Sequence, residues 1–284
     1  MNQTYRIMGV MNITPNSFSD GGEIDNSDTC YKRLVELHRQ SHIIDVGAES
    51  TAPMNQAISE AEELSRFEHI FLPALKKFHA DHGVFPLLSL DTYKVEVFQK
   101  MWEQLKSLGL KKIWWNDVSG IVDQDLVSYL GREVGVDYVF CHNRVPDRAK
   151  TSEHKYFADS SINIAQELKE RFKLIRELFI KEGLHQRLHF DPCFGFAKTR
   201  EQNHELIKVL PEILQQFHQD NWVLGISRKS FLAFLELEGD FVYREMLHFL
   251  LLSQWIKKFS SMKVTYRVHD PNILLLVDKT KHLS

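Results

Sequence analysis

The chain is poor in cysteine and contains no long apolar run. Its 284 residues include only three cysteines, Cys30, Cys141 and Cys193, which lie far apart and form no CxxC pair. A disulfide framework and a structural zinc site are therefore not expected, whereas a reducing compartment is. The longest apolar run, residues 246–252, is interrupted by His248 and is too short to span a bilayer. The amino terminus has no apolar segment of signal-peptide length, so we expect a cytoplasmic protein with no membrane partner.

An excess of positive charge is also absent. Lys and Arg number 35 and Asp and Glu number 38, which gives a formal net charge of −3. A chain with this balance and no basic block is not expected to bind nucleic acid. The motifs HExxH, Walker A, GxGxxG and GxSxG are missing as well. Their absence argues against a zinc protease, a P-loop enzyme, a dinucleotide-binding fold and an α/β-hydrolase.

What the chain does contain is a regular alternation of short apolar runs and long amphipathic segments. The apolar runs predict strands at residues 6–11, 42–46, 85–90, 112–115, 136–141, 187–190, 222–226 and 263–268. Helical periodicity follows each run, at residues 25–40, 59–79, 92–108, 123–132, 160–181, 200–219, 240–259 and 271–281. Eight βα units predict a single domain over residues 1–284, a (β/α)8 TIM barrel. A doubly wound parallel sheet is the alternative.

Polar side chains follow the ends of these runs. In a barrel the carboxyl ends of all strands meet at one rim, where active sites are built. That rim would hold Asp91, Asn116 and Asp191, a set that suits a flat heterocycle with alternating donors and acceptors. Helix capping is the competing interpretation, chiefly for Asp91, which lies just before Thr92 and Lys94.

The last two predicted strands end in cationic side chains. Lys229 follows the seventh run, and Arg267 and His269 end the eighth, with Arg228 close by. Neighbouring strands seven and eight often form a phosphate site in barrels, and Arg and Lys both bind phosphate oxygens. These residues therefore favour an anion site over solvated charge. Asn12, at the end of the first run, offers an oxygen for a Mg²⁺ ion held mainly by a pyrophosphate.

Two phenylalanines lie in the loop after the sixth run. Phe194 and Phe196 flank Gly195 in the sequence CFGFAK. Either ring would be able to stack on an aromatic substrate, and at least one is expected to pack beneath the loop. We expect Phe194 to pack there and Phe196 to face the site.

Seven stretches occur in an order that closely resembles the motif series of bacterial dihydropteroate synthases. They are GVMNITPNSFSDGG, IIDVGAESTAP, SLDTYK, NDVSG, DPCFGFAKT, SRKSF and RVHD, and they extend over residues 9–270. The resemblance implies a (β/α)8 barrel that forms a homodimer. It also implies a reaction that joins 6-hydroxymethyl-7,8-dihydropterin pyrophosphate to p-aminobenzoate, gives 7,8-dihydropteroate and pyrophosphate, and is assisted by Mg²⁺.

The same resemblance implies roles for individual residues. The pterin would be held by Asp91, Asn116, Asp191 and Lys229. The pyrophosphate and its metal would be held by Asn12, Arg267 and His269, with Thr51 contributing from the second loop. The aminobenzoate would lie near Phe196 and Ser230. Lys229, Arg267 and His269 would be the catalytic residues.

The chain departs from the family pattern at several loops. The second loop typically reads GGESTRPG, but here it reads GAESTAPM, so Ala52 replaces an arginine and Met54 a glycine. Cys193 and Ala197 also stand at positions that are usually glycine, and FCHN at 140–143 replaces LMHM. Two alternatives therefore stay open. One is a non-catalytic or altered-substrate pterin-binding paralogue, and the other is a methyl-tetrahydrofolate barrel, which the RVHD motif disfavours.

Restoring the missing arginine tests the second loop. Ala52→Arg should lower the apparent KM for p-aminobenzoate, because it returns a planar donor for an anionic group. One charge-assisted hydrogen bond of roughly 1.5–3 kcal/mol corresponds to about tenfold or more in affinity. Steady-state kinetics measures the change. Ala52→Lys is the control, because it returns a positive charge without the paired N–H donors of a planar guanidinium group. An unchanged KM would mean that another residue has compensated for the arginine.

Overall fold

The computed structural model describes residues 5–14, 24–49, 57–233 and 240–280. In these ranges eight parallel strands pair in chain order and close into a barrel. The strands are β1 (Arg6–Asn12), β2 (Ile43–Gly47), β3 (Leu88–Asp91), β4 (Ile113–Asp117), β5 (Val136–Cys141), β6 (Leu188–Asp191), β7 (Asn221–Leu224) and β8 (Lys263–Val268). The predicted (β/α)8 barrel is confirmed, and the doubly wound alternative is wrong because β1 pairs with β8.

Helices connect the strands and cover the outside of the barrel. They are α1 (Ser27–Gln40), α2 (Glu60–Arg66), α3 (Leu72–His82), α4 (Val95–Ser107), α5 (Gln124–Arg132), α6 (Ile164–Lys181), α7 (Arg200–Gln216), α8 (Asp240–Lys258) and α9 (Asn272–Thr280). A π-helical turn, Phe67–Phe71, joins α2 to α3, so the one helix predicted at 59–79 is interrupted. Within the described residues, no helix is long and apolar enough to cross a membrane.

Side-chain caps fix where several helices begin. Ser59 Oγ accepts the N–H of Glu62 at 3.1 Å at the start of α2. The Ser59–Glu62 spacing predicts a capping box, but Glu62 instead pairs with Arg66 at 2.6 Å. A reciprocal box forms at α7, where Thr199 and Gln202 each accept the other's backbone N–H. These caps satisfy N–H groups that have no partner inside the helix.

The largest side chains pack between the strands and the helices. Phe172 of α6 stacks on Phe190 of β6, with ring centroids 4.5 Å apart. Its edge meets Phe140 of β5 and Trp222 of β7 at centroid distances of 6.0 Å and 5.5 Å. This cluster fastens one helix to three neighbouring strands. Offset and edge-on aromatic contacts add to the stabilisation that comes from burying apolar area.

A second apolar cluster fills the middle of the barrel. Met8, Ile43, Trp114, Val139 and Val223 are all fully buried and pack together inside the ring of strands. The interior of a (β/α)8 barrel is a packed core rather than a pore. The carboxyl end and the amino end of the barrel are therefore separate surfaces.

Phe172→Ala should remove about 3–5 kcal/mol from the free energy of unfolding, because it leaves a cavity among aromatic rings. Leu174→Ala is the matched control on the same helix, since Leu174 is 56% exposed and Phe172 is fully buried. Urea unfolding measured by circular dichroism gives both values. Equal losses in the two variants would contradict the packing described for α6.

Candidate active site

A cavity of about 500 Å³ opens at the carboxyl ends of the strands, a size typical of small-molecule sites. Every predicted site residue except Thr51 lines it: Asn12, Asp91, Asn116, Asp191, Phe196, Lys229, Ser230, Arg267 and His269. Thr51 lies outside the described residues, as do Ala52 and Met54. The structure thus brings together the heterocycle set and the anion set that the sequence indicates.

Arg267 lies at the centre of a largely buried polar network. Its Nε donates to Asp45 Oδ2 at 2.7 Å, and its Nη2 donates to Asp91 Oδ2 at 2.6 Å. Asn116 Nδ2 donates to the same Asp45 oxygen at 3.1 Å. Strands β2, β3, β4 and β8 therefore meet in one connected set of hydrogen bonds. Asp45 lies inside the apolar run at 42–46, and its pairing with a residue 222 positions away has no local signal in the sequence.

Asp91 belongs to this network and caps no helix. The first turn of α4 is preceded by Lys94, whose N–H donates to Thr92 Oγ1 at 3.2 Å. Burial raises the pKa of Asp91 to about 7, and the Asp45 carboxylate acts in the same direction against Arg267. Because two carboxylates share one guanidinium, Asp91 takes up a proton near neutral pH. The site can then both donate hydrogen bonds to a heterocycle and accept hydrogen bonds from it.

Asp191 faces the cavity from the end of β6. The N–H of Cys193 donates to its Oδ1 at 2.7 Å, which closes a turn at the start of the loop. The cap of α7 is Thr199, so the capping interpretation fails for Asp191 too. Burial raises the pKa of Asp191 to about 6, although that N–H, Lys229 and Arg267 favour the charged form.

The loop after β6 has a left-handed backbone at two residues that are not glycine. Cys193 and Ala197 have φ values of 54° and 47°, and Gly195 between them has 85°. The left-handed region costs a residue with a Cβ roughly 1–2 kcal/mol. Glycine adopts this conformation without that cost, whereas Cys193 and Ala197 adopt it at some expense of stability.

Lys198 ties this loop to the barrel, a role that the sequence analysis missed. Its Nζ donates to the carbonyl oxygens of His142, Cys193 and Phe196 at 2.6, 3.0 and 3.0 Å. Burial lowers the pKa of Lys198 to about 8. The sequence signal for this role is the lysine within the motif DPCFGFAKT. The three hydrogen bonds of Lys198 use all three N–H donors of its ammonium group.

Phe194 packs beneath the loop as predicted, although both phenylalanines contribute to the lining of the cavity. Phe194 is fully buried and its ring stacks near Trp255, with centroids 6.1 Å apart. Phe196 lines the cavity, and Lys229 Nζ lies 4.6 Å from its ring centroid. Burial, aided by Arg267, lowers the pKa of Lys229. The Phe196 ring and the Lys229 ammonium therefore form one wall of the site.

His269 differs from the cation expected from the sequence. Its Nδ1 lies 3.2 Å from Ser227 Oγ, and Arg33 donates to its carbonyl oxygen at 2.9 Å. Burial, together with Arg267 and other nearby cations, lowers the pKa of His269 well below its usual value. This environment favours the neutral form of the imidazole. An arriving anion would offset the neighbouring cations and favour its protonation.

A second buried charge cluster supports the start of the second loop. Lys94 forms ion pairs with Glu49 and with Glu63, the latter at 2.7 Å. Tyr93 donates its hydroxyl to Glu49 Oε1 at 3.0 Å. Glu49 also lines the cavity. Tyr93 and Lys94, the last two residues of the motif SLDTYK, therefore hold the start of the second loop in place through Glu49.

The fold and the rim cavity are those of a pterin-binding barrel, and the sequence model described as "Pterin binding enzyme" matches residues 8–269. The dihydropteroate synthase of Clostridium beijerinckii is 33% identical over 232 residues, which cover 81% of this chain and 77% of the relative. That of Bacillus subtilis is 33% identical over 228 residues, covering 80% and 71%. The chain belongs to the dihydropteroate synthase family.

Solved structures of the same family match the whole barrel. The enzyme of Anaplasma phagocytophilum with bound 6-hydroxymethylpterin-monophosphate is 25% identical, covers 99% of both chains and has a TM-score of 0.73. The enzyme of Clostridium difficile in the presence of pteroic acid is 28% identical, covers 98% of this chain and 96% of its own, and has a TM-score of 0.72.

Asp45→Asn should lower the pKa of Asp91, because it removes the neighbouring negative charge and leaves Arg267 to pair with Asp91 alone. In the native protein the folded state holds this proton more tightly than the unfolded chain. The site therefore loses stability as pH rises from about 4 to about 7, and the variant should lose less. Carboxyl-carbon NMR and denaturation across this pH range measure both effects. Asp125→Asn on α5 is the exposed control, and an unchanged Asp91 pKa in Asp45→Asn would contradict the influence assigned to the Asp45 carboxylate.

Ala197→Gly should stabilise the protein by about 0.5–1 kcal/mol, because relief of the left-handed conformation exceeds the added entropy of the unfolded chain. Ala165→Gly in α6 is the matched control and should cost roughly 1 kcal/mol. Thermal unfolding compares the two. A loss of stability in both variants would mean that the β6 loop carries no backbone strain at Ala197.

Proposed function

We propose that the chain catalyses the dihydropteroate synthase reaction of folate biosynthesis with the cavity described above. The observation that carries the proposal is one cavity that combines buried carboxylates and an amide with cations from β7 and β8. One related structure has bound 6-hydroxymethylpterin-monophosphate and another is of the enzyme in the presence of pteroic acid, and these two compounds resemble the pterin substrate and the product. Residues 1–284 act as one catalytic domain in this proposal.

The pterin ring would bind in the deep part of the cavity. Asp91, Asn116 and Asp191 supply acceptors, and Asn116 and a protonated Asp91 also supply donors. Burial strengthens these hydrogen bonds, since little water competes for them. Lys229 closes this part from the β7 side, with its ammonium group over the Phe196 ring.

The pyrophosphate would bind nearer the mouth. Arg267 is held in place by its two carboxylates, so its orientation is set before the ligand arrives. His269 would gain a proton beside the pyrophosphate, and Asn12 and Thr51 would add neutral contacts. Stabilising the charge that develops on the leaving group is the main electrostatic contribution to such a reaction.

The donor set fits Mg²⁺ held mostly by the substrate. Among the described residues no three His, Cys, Asp or Glu side chains gather as a metal site. Mg²⁺ usually keeps several waters and substrate oxygens and needs few protein ligands, so the Asn12 amide oxygen is sufficient. When bound, Mg²⁺ would neutralise charge on the departing pyrophosphate.

The aminobenzoate would lie beside Phe196 and Ser230, above the pterin. In the reaction the bond between the pterin methylene and the pyrophosphate oxygen breaks. The aryl amine nitrogen then bonds to that methylene and loses one proton. Because both reactants are held in one cavity, the enzyme supplies orientation that free reactants lack.

We further propose that the protein forms a homodimer through α8 and α9. Phe241, Met246 and Leu250 of α8 and Leu275 and Leu276 of α9 are each between 45% and 57% exposed. An exposed apolar patch of this kind is typical of an interface. Light scattering should give a molar mass of twice 33.3 kDa. Met246→Glu should give the mass of a monomer, because it places a charge in this apolar patch. A cytoplasmic location stays a prediction.

A direct assay tests the function. Purified protein is incubated with the pterin pyrophosphate, Mg²⁺ and p-aminobenzoate, and both dihydropteroate and pyrophosphate are measured. Lys229→Ala should lower kcat/KM by roughly 10²-fold or more, whereas the exposed control Lys208→Ala should not. Pyrophosphate without dihydropteroate would indicate another amine acceptor. Tight pterin binding with neither product would favour the non-catalytic paralogue.

A further inference from the structure

A short 3₁₀-helical segment, Arg148–Phe157, lies in the connection between β5 and α6. It contains His154, which lines the active-site cavity and is only 3% exposed. None of the seven motif stretches includes this segment, and the family resemblance gives His154 no role. The side chain nevertheless contacts the loop after β6, which carries Phe196.

His154 binds the backbone of the β6 loop. Its Nδ1 accepts a hydrogen bond from the N–H of Ala197 at 3.3 Å. Because a backbone N–H can only donate, Nδ1 carries no proton in this contact. Arg144, in the same β5–α6 connection, donates from Nη1 to the carbonyl oxygen of Ala197 at 3.4 Å. Both backbone groups of a residue in the left-handed region are therefore bound by the β5–α6 connection.

The imidazole of His154 also contacts the ring of Phe196. The two ring centroids lie 4.3 Å apart, and the ring planes are inclined by 32°. Lys229 Nζ lies 4.6 Å from the centroid of the same phenyl ring. The lysine has a flexible stem and adapts its position, whereas a contact between two rings has a defined geometry. His154 therefore restricts the orientation of the Phe196 side chain more strongly than Lys229 does.

Arg148 anchors the 3₁₀-helical segment to the carboxyl end of the barrel. Its Nη1 donates to Asp117 Oδ2 at 2.7 Å and to the carbonyl oxygen of Tyr93 at 2.9 Å. Its Nη2 donates to the carbonyl oxygen of Ile121 at 2.7 Å. Asp117 is fully buried, so this ion pair has little competition from water. None of these three bonds involves His154, and the segment is therefore held in place independently of that side chain.

We propose that His154 is a positioning residue for the arylamine substrate, a role that rests on the proposed function. It fixes the Phe196 ring in the wall beside which p-aminobenzoate would bind. The hydrogen bond to Ala197 sets the backbone there, and the ring contact sets the phenyl side chain. The bonds between Arg267 and Asp91 do not include His154, so binding of the pterin should depend on it little.

Kinetics and direct binding test the two substrates separately. His154→Ala should raise the KM for p-aminobenzoate by roughly threefold to tenfold, because the Phe196 ring loses its aromatic neighbour. The dissociation constant of 6-hydroxymethylpterin-monophosphate, measured by titration calorimetry, should change little. Tyr156→Ala is the matched control, since Tyr156 belongs to the same segment and is 72% exposed. An unchanged KM in His154→Ala, or equal weakening of both ligands, would overturn the proposal.

Two conservative variants separate the two contacts of His154. His154→Asn keeps an acceptor for the N–H of Ala197, and His154→Phe keeps an aromatic ring against Phe196. His154→Phe should recover more of the native KM than His154→Asn does, because the ring contact is the one that fixes the phenyl side chain. Circular dichroism shows whether each variant is folded. A folded His154→Phe variant with the KM of His154→Ala would contradict the proposed role.

Fluorine NMR of protein labelled with 4-fluorophenylalanine gives a measurement that does not require activity. The Phe196 resonance is identified by its loss in Phe196→Leu. It should shift in His154→Ala and stay in place in Tyr156→Ala, because only His154 contacts this ring. A shifted resonance in a protein without synthase activity would contradict the proposed function but support His154 as the residue that positions Phe196. An unmoved Phe196 resonance in His154→Ala would overturn the inference even in an active synthase.

Discussion

The salt bridges of Arg267 with Asp45 and Asp91 are the interactions on which the site depends. One guanidinium serves two carboxylates inside the barrel, and burial together with the nearby Asp45 carboxylate raises the pKa of Asp91. Removing Arg267 would leave two carboxylates without their counter-ion, which costs several kcal/mol in a buried setting. The arrangement therefore sets both the protonation of the deep cavity and the position of the cation nearest the proposed leaving group.

The same interaction explains why the deep part and the mouth of the site act as one unit. Asp91 belongs to the proposed pterin set and Arg267 to the proposed pyrophosphate set, yet they are bonded to each other at 2.6 Å. A ligand that attracts either group alters the electrostatic environment of the other. We therefore expect binding in the two parts to be coupled through the contact between Arg267 and Asp91.

The barrel and the residues at the carboxyl ends of its strands were predictable from the sequence, because both follow from the local alternation of apolar runs and amphipathic segments. Apolar runs such as residues 136–141 fix the strands, and closure of the barrel then brings all their ends together. Pairings such as Asp45 with Arg267 were not predictable, because they join residues far apart in the chain. The neutral state of His269 and the burial of Lys198 depend on desolvation by the folded protein, which sequence does not display. The interruption of the helix at Phe67–Phe71 also left no recognisable signal.

Lys198 has a consequence for how this loop has varied. Its three hydrogen bonds hold the carbonyls on both sides of Gly195, so the loop conformation does not rely on the preferences of its own residues. Changes from glycine to Cys193 and Ala197 are tolerable under such a restraint, since each costs stability without moving the backbone. The hydrogen bonds of Lys198 thus define the shape of the loop more strongly than the residue types at Cys193 and Ala197 do. A single buried ammonium group therefore acts as a structural centre for this wall of the cavity, in the way that a small bound cation would.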